Sequence, residues 1–262
     1  MRAAVVIAFV LAGCASSPPK QAVTDLAPSG TLRAAINVGN AVLAARPATP
    51  GGEPTGISVD LARELARRLG VPVQLVVFDA AGKVVDAGRT GSWDIAFVAL
   101  DPKRAAEIAQ SPPYVQIEGS YLVRSDSALR SNDEVDRKGH RVVVGRNSAY
   151  DLYLTRELKQ AEIVRTPTSA QVVDTMLKDN YEVSAGVKQA LENDARRLPG
   201  VRLLPGRFMV INQAMASQRN KEAGARYVRE FIEEMKASGF VAKAIERHHQ
   251  PSAVVAPPGD PK

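Results

Sequence analysis

The chain is almost without cysteine: Cys14 is its single one, so an intramolecular disulfide is impossible and a cysteine-ligated zinc site is excluded. Histidine is nearly as scarce. His140, His248 and His249 are the full set; none sits in a recognisable second-ligand or general-base context, and His248-His249 closes a helix where C-terminal capping is role enough. No G-x-x-x-x-G-K-[ST] or G-x-G-x-x-G phosphate loop is present, and no G-x-S-x-G nucleophile elbow. Neither metal nor cofactor is expected. Aromatics make up only 5%, so the core leans on Val, Leu, Ile and Ala. The net charge of +6 is scattered, with no block of five or six consecutive basic residues and no aromatic interleaving, which excludes nucleic acid as a partner. A surplus of this size suits a small anionic partner instead.

What is present begins with an export signal. Arg2 precedes an apolar run from Ala3 to Leu11, far short of the ~20 residues that span a bilayer, and small residues Ala12-Gly13 lead to Cys14. That ending resembles the bacterial lipobox, in which the signal is cleaved and the cysteine carries lipid. The resemblance implies a signal peptide over residues 1–13, lipidation at Cys14, and a polar, Pro-containing tether over 14–28. Membrane contact is then through the lipid anchor alone.

Beyond the tether, folded sequence is expected from about Leu32. Leu32–Asn37 reads as a strand and Asn40–Gly56 as a Gly/Pro-rich loop. Ala62, Leu65, Ala66 and Leu69 recur at helical spacing behind a Ser58 cap, with Gly70 and Pro72 as the stop. Val73–Phe78 and Trp93–Val98 read as strands around a helix at Ala80–Ala87. This alternation predicts an α/β unit with a mainly parallel sheet. Pro112-Pro113 marks a break before an Ile117–Val123 strand. A second unit repeats the alternation: strand Arg141–Gly145, a helix from Ser148, strand Ile163–Arg165, helix Thr168–Leu177, strand Tyr181–Ala185, helix Val187–Arg196. Phe208–Met215 returns as a strand, Lys221–Ala237 is an amphipathic helix, Val241–Ile245 continues it, and the Pro-rich end is expected to be disordered.

Several segments in order resemble the bacterial extracellular solute-binding proteins of family 3, the capturing components of ABC importers. They are Ser29-Gly30-Thr31-Leu32-Arg33, Gly56 to Ala62, Trp93 to Phe97, Asp101-Pro102-Lys103-Arg104-Ala105, Ser111 to Tyr114, and Val144 to Tyr150. The resemblance runs from about Leu26 to Arg247. It implies a two-lobed periplasmic-binding-protein-like fold of type II, each lobe a mainly parallel sheet flanked by helices, with a two-strand hinge near Leu122–Ser125 and Ile211–Met215. The divisions it implies are 29–123 for the first part of lobe 1, 124–213 for lobe 2, 214–248 for the C-terminal part of lobe 1, and 249–262 for a disordered tail.

It also implies site residues. Arg104 would grip a ligand carboxylate, as a planar guanidinium fork can; a solvated turn arginine is the alternative. Asn147 and Ser148, at a helix start, would hold the same anion from lobe 2, and Ser148 can equally be a plain cap. Ala99 and Asp101 flank the arginine, with Asp101 able to cap its helix. Asn40 and Leu43 stand where an aromatic is customary and would line the pocket. Glu118 and Tyr121 near the hinge are polar candidates or ordinary strand-face residues. The acid that meets a ligand ammonium is replaced by Gly186, with Glu182 out of register, so an organic acid is as open as an amino acid. The reading is a monomeric, non-enzymatic, periplasmic or envelope lipoprotein, lipid-anchored, that captures a small anionic or zwitterionic solute by hinge closure and docks on an ABC permease in the cytoplasmic membrane. The rivals are a secreted cyclohexadienyl-type dehydratase, with Glu118 as its acid, and a sensory or cell-wall-associated module.

Overall fold

The computed structural model describes residues 17–47, 49 and 51–259. The export signal and Cys14 lie outside the described residues. The first element is a short helix, Lys20–Leu26 (α1), inside the expected tether. It is folded because Leu26 is fully buried and Asp25 accepts the Gly224 amide at 3.0 Å, docking it on a C-terminal helix.

The first unit then follows the predicted alternation: Leu32–Asn37 (β1), Ile57–Leu69 (α2), Val73–Phe78 (β2), Ala81–Gly88 (α3) and Ile95–Ala99 (β3). β1 lies between β2 and β3 with all pairs parallel. The apolar stripe of α2, with Leu61, Ala62, Leu65, Ala66 and Leu69, is buried, and Gly70 ends the helix at φ 68°, a conformation that favours glycine. Ser58 is not its cap; it is buried inside the first turn with its hydroxyl 3.2 Å from the Tyr114 hydroxyl. Trp93 is fully buried, donates to Val84 O at 2.8 Å, and lies so close to α3 that a Cβ on Gly88 would sit 2.6 Å from its ring.

A four-residue helix, Pro102–Ala105 (α4), leads into a 17-residue strand, Ile108–Arg124 (β4). Pro112-Pro113 does not break this strand. Its register shifts between Gln110 and Pro113 and again between Pro113 and Val115, and such bulges accommodate residues lacking an N–H donor. The second unit is Arg141–Gly145 (β5), Ala149–Glu157 (α5), Glu162–Thr166 (β6), Val172–Lys178 (α6), Val183–Val187 (β7) and Lys188–Arg197 (α7), with β5 between β6 and β7, again parallel. The two units share a device. Arg33 at the start of β1 grips Asp94 through two side-chain bonds of 2.7 and 3.0 Å and its main-chain N–H at 2.9 Å. Arg141 at the start of β5 grips Glu182 through bonds of 2.7 and 3.0 Å and its own N–H at 2.8 Å. Each clamp ties the first strand to the residue leading into the third, and it consumes Glu182.

Val201–Leu203 (β8) and Met209–Gln218 (β9) follow, then Glu222–Ala237 (α8), Phe240–Arg247 (α9) and Val254–Val255 (β10). The sheet order is β2-β1-β3-β9-β4-β7-β5-β6, with β8 and β10 also on β4. This is the two-lobed α/β arrangement expected: two parallel wings joined by antiparallel β4 and β9. β9 pairs with β3 through Ser217 to Gln213, whereas β4 passes from β9 to β7 at Gly119. The crossing between wings thus lies near Gly119 and Met209, ahead of the expected Leu122–Ser125, because Leu122 and Val123 are already in the β7 and β8 ladders. Over its described part, 249–259, the expected disordered tail is ordered. β10 pairs with Val115 and Gln116, Ala253 and Ala256 are buried, and Gly259 N–H reaches Glu233 at 3.1 Å.

Candidate functional site

The β1, β3 and β7 strands end facing one another across the gap between the wings, and side chains from both wings enclose a cavity of ≈ 160 Å³ there. Open α/β sheets place ligands beyond strand carboxyl ends for this topological reason.

Arg104 is the buried charge of this cavity. The sequence Asp101-Pro102 builds its helix: the Asp101 carboxylate accepts the Lys103 N–H at 2.9 Å, and Pro102 stands at a first-turn position that needs no donor. Arg104 is only 2% exposed. It donates to Ala99 O at 3.0 Å and, across the gap, to Asn147 O at 2.8 Å. No carboxylate pairs with it among the described residues; Asp101 is taken by Arg156 from α5, at 2.9 Å. Burial pulls the guanidinium down to about 10, with the Asp101 charge opposing, so at neutral pH it remains a cation. A buried cation resting on neutral carbonyls is short of a counter-charge, and its remaining N–H groups are free for an anion.

Asn147 and Ser148 lie at the start of α5, as the sequence places them, and contribute in different ways. Asn147 adopts φ 55°, which turns its carbonyl to Arg104, but its side chain faces away from the cavity, against Gly82: a Cβ there would meet Asn147 Cβ at 2.7 Å. Ser148 lines the cavity and caps α5, accepting the Asp151 N–H at 3.0 Å. The anion cradle expected at this helix start is partly filled from within. Asp151, 2% exposed, accepts the Asn147 N–H at 2.7 Å and pairs with Arg165 at 3.0 Å.

Ala99 and Asn40 line the cavity with Arg104 and Ser148. Besides Asn147, four expected residues do not. Leu43 is 4% exposed and packed in the main core, because the Asn40–Ala44 turn points it inward. Asp101 serves as helix cap and partner of Arg156. Glu118 is held by Lys188 at 2.8 Å and Arg207 at 2.7 Å, outside the cavity wall, and these two cations hold its pKa below the ordinary carboxylate value. Tyr121 stacks on Phe208 at 4.3 Å as a core residue.

Gly186 lines the cavity, and the space a side chain would enter there is bounded by Leu191, 3.2 Å from a Cβ. Sequence reasoning missed Gln213, Asp194 and Gln250, which line the same cavity. Gln213 carried a signal: it falls between Ile211 and Met215 on the alternation that faces the core. Asp194 and Gln250 carried none, since one lies on a polar helix and the other in a Pro-rich end. Asp194 is already bonded to Arg197 at 2.8 Å.

The model of the bacterial extracellular solute-binding proteins, family 3, matches residues 41–251. No curated protein sequence matches the chain. Among solved structures, the L-cysteine solute receptor of Neisseria gonorrhoeae is similar at TM-score 0.75 and 19% identity, covering 88% of this chain and 94% of that one. The Streptococcus pneumoniae amino acid ABC transporter substrate-binding protein AbpA, bound to L-arginine, is similar at 0.73 and 19%, covering 87% and 98%. The ancestral amino acid-binding protein AncCDT-1, a precursor of cyclohexadienyl dehydratase, is similar at 0.72 and 20%, covering 86% and 97%. At these identities the likeness is one of fold, a type II periplasmic binding protein. No helix among the described residues is long and apolar enough to cross a membrane.

Proposed function

This chain belongs to the bacterial extracellular solute-binding proteins, family 3, whose model spans its residues 41–251, and from that membership we propose that it captures a small carboxylate-bearing solute, an amino acid or organic acid, for an ABC importer. The observation that carries this reading is Arg104: 2% exposed, without a paired carboxylate among the described residues, in the wall of an inter-lobe cavity. The solute carboxylate enters beside the guanidinium and supplies the missing charge, with bonds strengthened by the dry surroundings. Ala149 and Tyr150 line the cavity with Ser148, and their first-turn N–H groups, which have no helical acceptor, meet the anion from the second lobe.

Closure follows from the topology. The wings are joined through β4 and β9, and bending where β4 changes partner at Gly119 opens and shuts the gap. Arg104 to Asn147 O and Arg156 to Asp101 are the contacts made on shutting. We place the protein outside the cytoplasmic membrane, anchored by lipid on Cys14, delivering its load to a permease.

Binding without chemistry is preferred to a dehydratase. A leaving group needs a proton donor in the cavity. Glu118 is outside it and held ionised by two cations, and Asp194 is tied to Arg197. The test is a thermal-shift screen of the purified protein against amino acids and organic acids. A ligand at one hundred times its Kd raises stability by about 2.7 kcal/mol. The reading expects a carboxylate that shifts the wild type and not Arg104→Ala; equal shifts in both would refute it.

A further inference from the structure

The cavity wall is rich in carboxamides and poor in charge. Asn37, Asn40, Gln189, Asn193, Gln213 and Gln250 line it, whereas the charged groups among its described residues are Arg104 and Asp194. Gln213 is 5% exposed and its side-chain amide has no hydrogen-bond partner among the described residues. The Asn40 amide is equally without one, and its Oδ1 is shut off from water. The Gln250 Nε2 donates to His248 O at 3.0 Å, which leaves its buried Oε1 unpartnered. Buried polar groups in folded proteins are otherwise almost always satisfied; the Asn40 and Gln250 oxygens are acceptors in want of a donor, and the Gln213 amide is open to a ligand in the cavity.

Gln250 reaches the site because the chain end is a strap. After α9 it crosses to the second wing, where Ser252 donates to Gln189 at 2.9 Å, and returns to pair with β4 through β10. The binding cavity is therefore completed by residues beyond the last helix.

Building on the capture reading, we propose that the solute is a hydroxylated monocarboxylate, and that Asn40, Gln213 and the strap residue Gln250 read its hydroxyl groups. Charge decides against a zwitterion. Asp194 is bonded to Arg197, which also pairs with Asp174, so Arg104 is the charge of the wall without an ionic partner among the described residues, and a ligand of net charge minus one balances it. An ammonium would add a second cation and would have to compete with Arg197 for Asp194, the acid in the lining. Hydroxyls match carboxamides in kind, since each both donates and accepts, and a hydroxyl can donate to the unpartnered Asn40 and Gln250 oxygens. Volume agrees: a cavity of about 150 Å³ takes a six-carbon ring, and this one is ≈ 160 Å³.

Two matched sets of probes test this on the full chain by thermal shift and calorimetry: propanoate, L-lactate and L-alanine, then hexanoate, D-gluconate and L-norleucine. The hydroxy acid of at least one set should bind, at least tenfold more tightly than its unsubstituted and amino partners. Gln250→Leu should weaken that binding by about five- to tenfold, as loss of one neutral hydrogen bond does, and leave the melting temperature of the empty protein unchanged. Preference for the amino acid or the plain acid, with dependence on Arg104 retained, overturns the hydroxy-acid assignment and leaves carboxylate capture standing. Binding that ignores Arg104→Ala overturns capture itself. Binding by none of the probes overturns the hydroxy-acid assignment.

Discussion

Replacing Arg104 by Met separates what this residue does for the fold from what it does for the ligand. Its ionisation is pulled from the ordinary guanidinium value to about 10 by burial, which corresponds to a penalty on the charged form of about 3 kcal/mol. Two charge-assisted bonds, to Ala99 O and Asn147 O, offset this at about 1.5–3 kcal/mol each. The terms are opposed and of similar size, so Arg104→Met should change the stability of the empty protein by no more than about 2 kcal/mol, a shift of a few degrees for a chain of this length. Carboxylate binding has no such offset. Losing two charge-assisted bonds to the ligand removes about 3–6 kcal/mol, at least a hundredfold in Kd. Denaturant unfolding of the empty protein and calorimetric titration with a carboxylate found by the screen measure the two quantities on one preparation. A variant that unfolds far more readily yet binds with wild-type affinity would show that the guanidinium is structural, and the reasoning would fail.

The remaining expectations concern closure, packing and pH. Arg156→Ala removes the partner of Asp101, a carboxylate whose side chain is 3% exposed; small-angle scattering should report a more open average shape and the ligand affinity should fall several-fold, whereas unchanged scattering would count against an inter-lobe latch. Gly88→Ala drives a Cβ to 2.6 Å from the Trp93 ring and should cost about 1–3 kcal/mol in denaturant unfolding while leaving ligand affinity intact. Arg67 and Arg68 hold Glu64 at about 2, below its ordinary carboxylate value. A depressed carboxylate stabilises above its unfolded pKa, and that contribution is lost as pH falls towards 2. Glu64→Gln should therefore lower stability slightly at neutral pH, by about 1 kcal/mol for a half-buried cluster at the surface, with the difference vanishing near pH 2; a difference constant with pH would contradict the pairing.

The βαβ alternation was legible because each wing repeats period-2 and period-3.6 apolar patterns with glycine stops, as at Leu69-Gly70. What escaped reading depends on contacts distant in sequence. Lys20–Leu26 is too short to announce itself and folds because Asp25 finds Gly224. β4 runs through Pro112-Pro113 because bulges against β9 absorb the missing donors. The Pro-rich end is ordered because β4 offers an edge to Val254–Val255. In the site, Arg104 was legible through the Asp-Pro-Lys-Arg segment, whose cap and helix start are local. Glu118 misled because its neighbours Lys188 and Arg207 are remote in sequence. Leu43 misled because a loop sequence does not say which way a turn faces. Gln250 could not be read at all, since the strap that delivers it to the cavity is set by tertiary pairing.

The account stands most directly on where a bound carboxylate sits. A crystal structure of the protein with the tightest ligand from the screen should show both carboxylate oxygens within hydrogen-bond reach of the Arg104 guanidinium, inside the cavity walled by Ser148 and Gln213. A carboxylate bound elsewhere, with Arg104 still bonded only to Ala99 and Asn147, would contradict it.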